Sequence, residues 1–236
     1  MADPNLPAIL EACAQPGCPL CRLAQSATAR FLDNLFYEMV NDAGMRGQLR
    51  DSLGFCKTHT RLLLDTSLRD PLGLTIVYHD VLNAILLNLP RLDKAERATG
   101  VLDRLLRRPP EEAAEQAKSA LQALTPRTPC PACDYRDQYT LSMLESLILH
   151  LETPDLSQAL EASHGLCLPH LRLALEKPIS ASRCAKLILI HQDKFLKLRD
   201  ELAEFIRKSD YRFLEEGFGA ERNAYQRAME MLAGSE

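Results

Sequence analysis

Apolar positions recur at helical spacing along most of this chain. Leu20, Ala24, Ala27, Phe31, Leu35 and Met39 form one stripe, predicting a helix over about 20–41 that ends at Asn41-Asp42-Ala43-Gly44. A short helix over about 45–53 leads to Gly54, and a third starts near Cys56 and carries Leu62 to Leu64. Pro71 and Gly73 read as breaks, after which Leu74, Val77, Val81 and Ile85 mark a fourth helix ending before Pro90. The plan then recurs. Leu141, Leu144, Ile148 and Leu151 line a helix after Cys133, and another follows Cys167. A long helix over about 180–208 carries Cys184, Ile188, His191, Phe195, Leu198, Leu202 and Phe205, and a last one runs over about 219–233.

Between the two series the chain is more charged. Arg91 to Thr125, with Arg107-Arg108-Pro109-Pro110 at its centre, predicts two polar helices joined at the prolines. Thr125-Pro126-Arg127-Thr128-Pro129 reads as extended, because a residue before proline disfavours the helical region. The organisation expected is a first helical repeat over 1–90, a charged helical connector over 91–128 and a second repeat over 129–236.

Composition sharpens the fold class. Leucine dominates, Val and Ile are scarce, Trp is absent, and stretches of alternating polar and apolar residues are hard to find. Good helix formers with few strand formers predict an all-α protein. An apolar share of 46% is too high for a disordered chain. No apolar run approaches the roughly 18 residues of a membrane span, and the first ten residues have no basic region of the secretory type. The net charge of −4 argues against nucleic-acid binding through a basic face. A cytoplasmic protein is expected.

The chemistry lies in the cysteines. Cys18-Pro19-Leu20-Cys21 is matched by Cys130-Pro131-Ala132-Cys133. Ser52-Leu53-Gly54-Phe55-Cys56-Lys57-Thr58-His59 is matched by Ser163-His164-Gly165-Leu166-Cys167-Leu168-Pro169-His170, the two matches lying 112 and 111 positions apart. An internal repeat is the simplest explanation. Cys-Pro-x-Cys makes a tight knuckle that aims two sulfurs at one point. In Gly-x-Cys-x-x-His the glycine permits a sharp turn into a helix, with the Cys expected in the first helical turn and the His, three residues on, on the same face. A helix N-terminus lowers thiol pKa and favours the ligating thiolate. Each half is therefore expected to close its own Cys3His shell: Cys18, Cys21, Cys56 and His59 in the first, Cys130, Cys133, Cys167 and His170 in the second.

Other candidates are weaker. Cys13 opens a Cys-x4-Cys-x2-Cys spacing found in plant-type ferredoxins, but the equivalent position in the second half is Thr125. Cys13 and Cys184 read as spare or buried thiols. His79 and His191 each follow a motif histidine by about twenty residues, yet His191 on its apolar stripe reads as a hydrogen-bonded core histidine. His164 faces Leu53 in the alignment and is not expected to ligate. Glu38 and Glu145 lack the Glu-x-x-His partners of a di-iron bundle. No phosphate loop, dinucleotide fingerprint or nucleophile elbow occurs, so no catalytic or cofactor-binding residue is assigned.

The duplicated Cys-Pro-x-Cys and Gly-x-Cys-x-x-His pairing resembles a family of bacterial and archaeal proteins known as a domain of unknown function. Phe36-Tyr37-Glu38-Met39-Val40-Asn41-Asp42, the segment Phe205 to Phe213 and Gly219-Ala220-Glu221-Arg222-Asn223-Ala224-Tyr225 fit the same resemblance, which covers nearly the whole chain. It implies no activity and supports the site residues alone. The expected function is a non-enzymatic metal-binding protein with two structural zinc ions per chain, acting as a protein-interaction or adaptor module with another protein as partner. The alternative is a redox protein carrying two iron–sulfur clusters. Geometry separates the two, because one zinc ion brings ligand sulfurs to about 3.8 Å from each other, whereas a cluster spreads its ligand atoms to roughly 6 Å or more.

Overall fold

The computed structural model describes residues 3–65, 71–90 and 110–234. Among them the regular structure is helical throughout, and no helix is long and apolar enough to cross a membrane. The duplication is visible as matched helix lengths. Pro19–Glu38 (α2, 20 residues), Ala43–Asp51 (α3, 9) and Lys57–Asp65 (α4, 9) correspond to Pro131–His150 (α7, 20), Pro154–Ala162 (α8, 9) and Leu168–Glu176 (α9, 9). Each triplet is followed by a helix longer than its two short members, Pro71–Asn88 (α5) and Ala181–Lys208 (α10). The remaining helices are Leu6–Cys13 (α1), Pro110–Ala123 (α6) and Ala224–Ala233 (α11), the last preceded by two 3-10 turns, Tyr211–Glu216 and Ala220–Asn223.

The all-α duplicated bundle expected from the sequence is the one observed. Two details differ. Pro71 begins α5 instead of breaking the chain, since proline at the first helical position loses no intrahelical hydrogen bond. Helices α1 and α8, which the apolar spacing did not mark, are short segments, held by the fully buried Ile9, Leu156 and Leu160. Of the two polar helices expected over 91–125, the C-terminal one is α6; the other, with Arg107 to Pro109, lies outside the described residues.

The chain divides into two compact units, neither formed by half of the sequence alone. One comprises residues up to Thr28 together with those from Arg136 onward, and the other is Ala29–Tyr135. The division falls inside α2 and α7. In the first unit Ile9, Leu20, Leu144, Leu147, Leu151 and Leu187 are fully buried in one core. Burying each leucine contributes about 1.5–3 kcal/mol. Asp3 fixes the chain start there, accepting from the Asn5 N–H at 2.8 Å and from Ser146 Oγ at 2.6 Å. In the second unit Leu32, Leu35, Leu49, Leu63, Val77 and Val81 form the core. Asp80 of α5 ties down α3 by accepting from Arg50 at 2.6 Å and Arg46 at 3.1 Å.

Candidate metal centres

All eight motif residues sit at helix starts, in one repeated geometry. Cys18 and Cys130 immediately precede the prolines that begin α2 and α7, and their carbonyls accept from Arg22 N–H at 3.2 Å and Asp134 N–H at 3.0 Å. Cys56 and Cys167 precede α4 and α9, and their carbonyls accept from Thr60 N–H and Leu171 N–H, both at 2.8 Å. Every Cys-x-x-Cys or Cys-x-x-His thus occupies the N-cap and third helical position. That pair of positions is the one a capping box brings together. The expectation that Cys56 and Cys167 lie within the first helical turn is corrected by one position: Cys167 is the N-cap, with extended backbone at φ −65° and ψ 160°.

Two glycines make the approach possible. Gly54 and Gly165 have φ of +91° and +80°, in the left-handed region closed to most side chains. Gly54 completes the end of α3 by donating its N–H to the Leu49 carbonyl at 2.8 Å.

The motifs assort across the repeats. Cys18 and Cys21 meet Cys167 and His170, while Cys130 and Cys133 meet Cys56 and His59. The expectation that each half closes its own shell is therefore corrected, although the composition, Cys3His twice, is as expected. The reason is helix length. A 20-residue helix carries the chain about 30 Å from its own knuckle, and the 9-residue return helix recovers only about 13 Å. Each quartet lies within one compact unit.

In the first quartet His170 Nδ1 lies 3.4 Å from Cys18 Sγ, 3.4 Å from Cys21 Sγ and 3.2 Å from Cys167 Sγ, and Cys21 Sγ lies 3.6 Å from Cys167 Sγ. In the second, His59 Nδ1 lies 3.3, 3.5 and 3.4 Å from Cys56, Cys130 and Cys133 Sγ, with Cys56 and Cys133 sulfurs 3.6 Å apart. All donor atoms of a quartet fall within 4.8 Å of one another. Both quartets can chelate a metal ion.

The electrostatics of the first quartet favour a cation. Burial pulls the His170 pKa down, but hydrogen bonds to Cys167 and Cys21 and their charge outweigh it and raise it to about 9. The Cys18 thiol is pushed up, first by its hydrogen bonds to Cys167 and Cys21 and then by burial. Sulfurs crowded this closely share a proton or take a metal ion in its place. In the second quartet burial pushes the Cys56 thiol up, yet hydrogen bonds from the His59 backbone and from Cys133 and Cys130 bring it below its ordinary value. Two helix N-termini face each quartet, and their partial positive charge stabilises thiolates.

The other sequence candidates fall elsewhere. Cys13 is buried outside the quartets, its pKa raised to about 11 by burial. Cys184 is half-buried outside the quartets. His79 is exposed and its Nδ1 accepts from Asn83 at 3.3 Å. Glu145 bonds Lys177 at 3.0 Å. His164 Nδ1 accepts from the Gly17 N–H at 2.6 Å, joining the two loops that enter the first quartet. A cavity of about 260 Å³ beside that quartet, lined by Cys18, Cys167, His164, Lys194, Lys197 and Arg227 among others, has no signature in the sequence. Its residues come from separate segments with no shared periodicity.

Comparison with known proteins adds a family. The model for "Family of unknown function (DUF6062)" matches residues 8–236. An "Uncharacterized 23.9 kDa protein in xynA 3'region" of Caldicellulosiruptor sp. (strain Rt8B.4) is 26% identical over 229 residues, covering 93% of this chain and 96% of the relative. No solved structure matches.

Proposed function

We propose, for a chain that belongs to this family of unknown function, a non-enzymatic role built on two structural zinc ions. Cys18, Cys21, Cys167 and His170 would hold one ion, and Cys56, His59, Cys130 and Cys133 the other. The observation that carries this reading is the donor spacing. A tetrahedral ion with bonds of about 2.3 Å to sulfur and about 2.0–2.1 Å to nitrogen separates its donors by about 3.6–3.8 Å. The histidine–sulfur distances of 3.2–3.5 Å and the Cys21–Cys167 and Cys56–Cys133 sulfur pairs at 3.6 Å fit that size, and all donors of a quartet lie within 4.8 Å of one another. An iron–sulfur cluster would need its four ligand atoms spread to roughly 6 Å.

Four protein donors complete the shell and leave no position for a substrate, which favours a structural ion over a catalytic one. Each ion would join two helix starts that are distant in sequence and make metal binding part of folding. We read the resulting helical frame as an interaction or adaptor module for another protein, in a reducing, cytoplasmic setting where the thiols stay available. Metal analysis of anaerobically purified protein tests the core of this reading. Two zinc per chain with sulfur–metal distances of about 2.3 Å is expected. Brown protein with equal iron and sulfide would overturn it in favour of electron transfer or redox sensing.

A further inference from the structure

One face of α10 grips the loop that delivers Cys167. His191 is 1% exposed. Its Nδ1–H donates to the Leu187 carbonyl at 2.7 Å, one turn back in the same helix, which leaves Nε2 as an acceptor. That nitrogen receives the Leu166 N–H at 2.9 Å. One turn further, Lys194 Nζ donates to the carbonyls of Glu161 at 2.8 Å and Ser163 at 2.5 Å. The lysine stem crosses the bare Cα of Gly165, so close that an added Cβ would lie 2.6 Å from Lys194 Cδ. Backbone groups at 161, 163 and 166 are thus fixed by two side chains of a single helix, and the next residue is Cys167.

The second quartet is supported differently. The ring of Tyr78 lies against Gly54 as His191 lies against Gly165, a Cβ there being 3.2 Å from Cε1, and its hydroxyl is 3.4 Å from Thr60 Oγ1.

We propose that His191 and Lys194 are positioning residues for the first metal centre, presetting the Gly165–Cys167 turn so that Cys167 and His170 meet Cys18 and Cys21 without reorganisation. This rests on the metal reading above. A ligand held by a fixed neighbour keeps its ion longer, and loss of such support costs about 10–100-fold in affinity. The clamp acts on one centre and leaves the other alone.

The test uses the full chain titrated with cobalt(II), followed by its thiolate charge-transfer and tetrahedral bands and competed with a chelator. His191→Leu should weaken one of two cobalt equivalents by about 10–100-fold. His191→Gln keeps an acceptor for the Leu166 N–H and should recover most of that loss. Lys194→Met, at a half-buried position less prone to unfold the chain, should weaken the same equivalent, and Lys194→Arg should restore it. Equal weakening by the Leu and Gln variants, weakening of both equivalents together, or unchanged affinity in all four would overturn the clamp. A wild-type chain that takes up no tetrahedral cobalt would instead sink the metal reading itself, and the clamp with it.

Discussion

Cys21 Sγ and Cys167 Sγ lie 3.6 Å apart although 146 positions separate them in the chain. The matching pair of the other quartet, Cys56 and Cys133, spans 77 positions and lies wholly inside that interval. The two clusters therefore close nested loops, and each is assembled from a knuckle of one repeat and a helix start of the other.

Paired substitutions distinguish this assortment from closure within each repeat. Cys56→Ser with Cys130→Ser should remove about one metal equivalent, because both residues serve one ion. Cys56→Ser with Cys21→Ser should remove two. The reverse outcome, one equivalent lost from the Cys21 pair and two from the Cys130 pair, would restore closure within repeats. Metal content after gel filtration under reducing conditions reads the result.

Metal removal should cost stability. An ion that joins distant helix starts restricts the unfolded chain and binds only the folded one. Stripping both ions with a strong chelator should lower the melting temperature by about 10 °C or more, given roughly 2–4 °C per kcal/mol in a chain of this size. Calorimetry of verified metal-free protein checks this, and unchanged melting would make the centres non-structural.

The two turn glycines should not tolerate a side chain equally. Gly54→Ala forces a Cβ into the left-handed region against the Tyr78 ring and should cost about 1–2 kcal/mol. Gly165→Ala must also displace Lys194, whose ammonium is tied to two carbonyls, and should cost about 2–4 kcal/mol. Urea unfolding of the two variants measures the difference. Equal losses would mean that Lys194 yields freely.

Acid should erode one contact near the C-terminus in a defined window. The Glu221 carboxylate accepts from Lys208 Nζ and from the Gly219 N–H, both at 2.8 Å. These bonds, Lys208 first, hold its pKa at about 2 against an ordinary 4.5. The unfolded chain then binds the proton more readily than the folded one, so the contribution is complete above about pH 4.5 and is lost as pH falls toward 2. The stability gap between wild type and Glu221→Gln should be constant from pH 7 to 5 and narrow below 4.5. A gap that stays level down to pH 3 would show that the charge of Glu221 contributes nothing.

What was legible in the sequence was local. Helical spacing of Leu20, Leu35, Val77 and Val81 marks core faces because burial follows the 3.6-residue period. The eight motif residues are legible for the same reason, since N-cap and third position depend only on how a helix starts. Glycine before Cys56 and Cys167 announces the positive φ that the turn needs. Short helices such as Leu6–Cys13 escaped notice because eight residues have little intrinsic helicity, and Ile9 gains its burial only from distant partners. Which knuckle meets which helix start was decided by tertiary structure alone. It depends on where a rigid 20-residue helix deposits the chain, a length effect invisible to motif spacing. The same holds for His191 and Lys194: their spacing marks a helix face, but only packing places that face on the turn before Cys167.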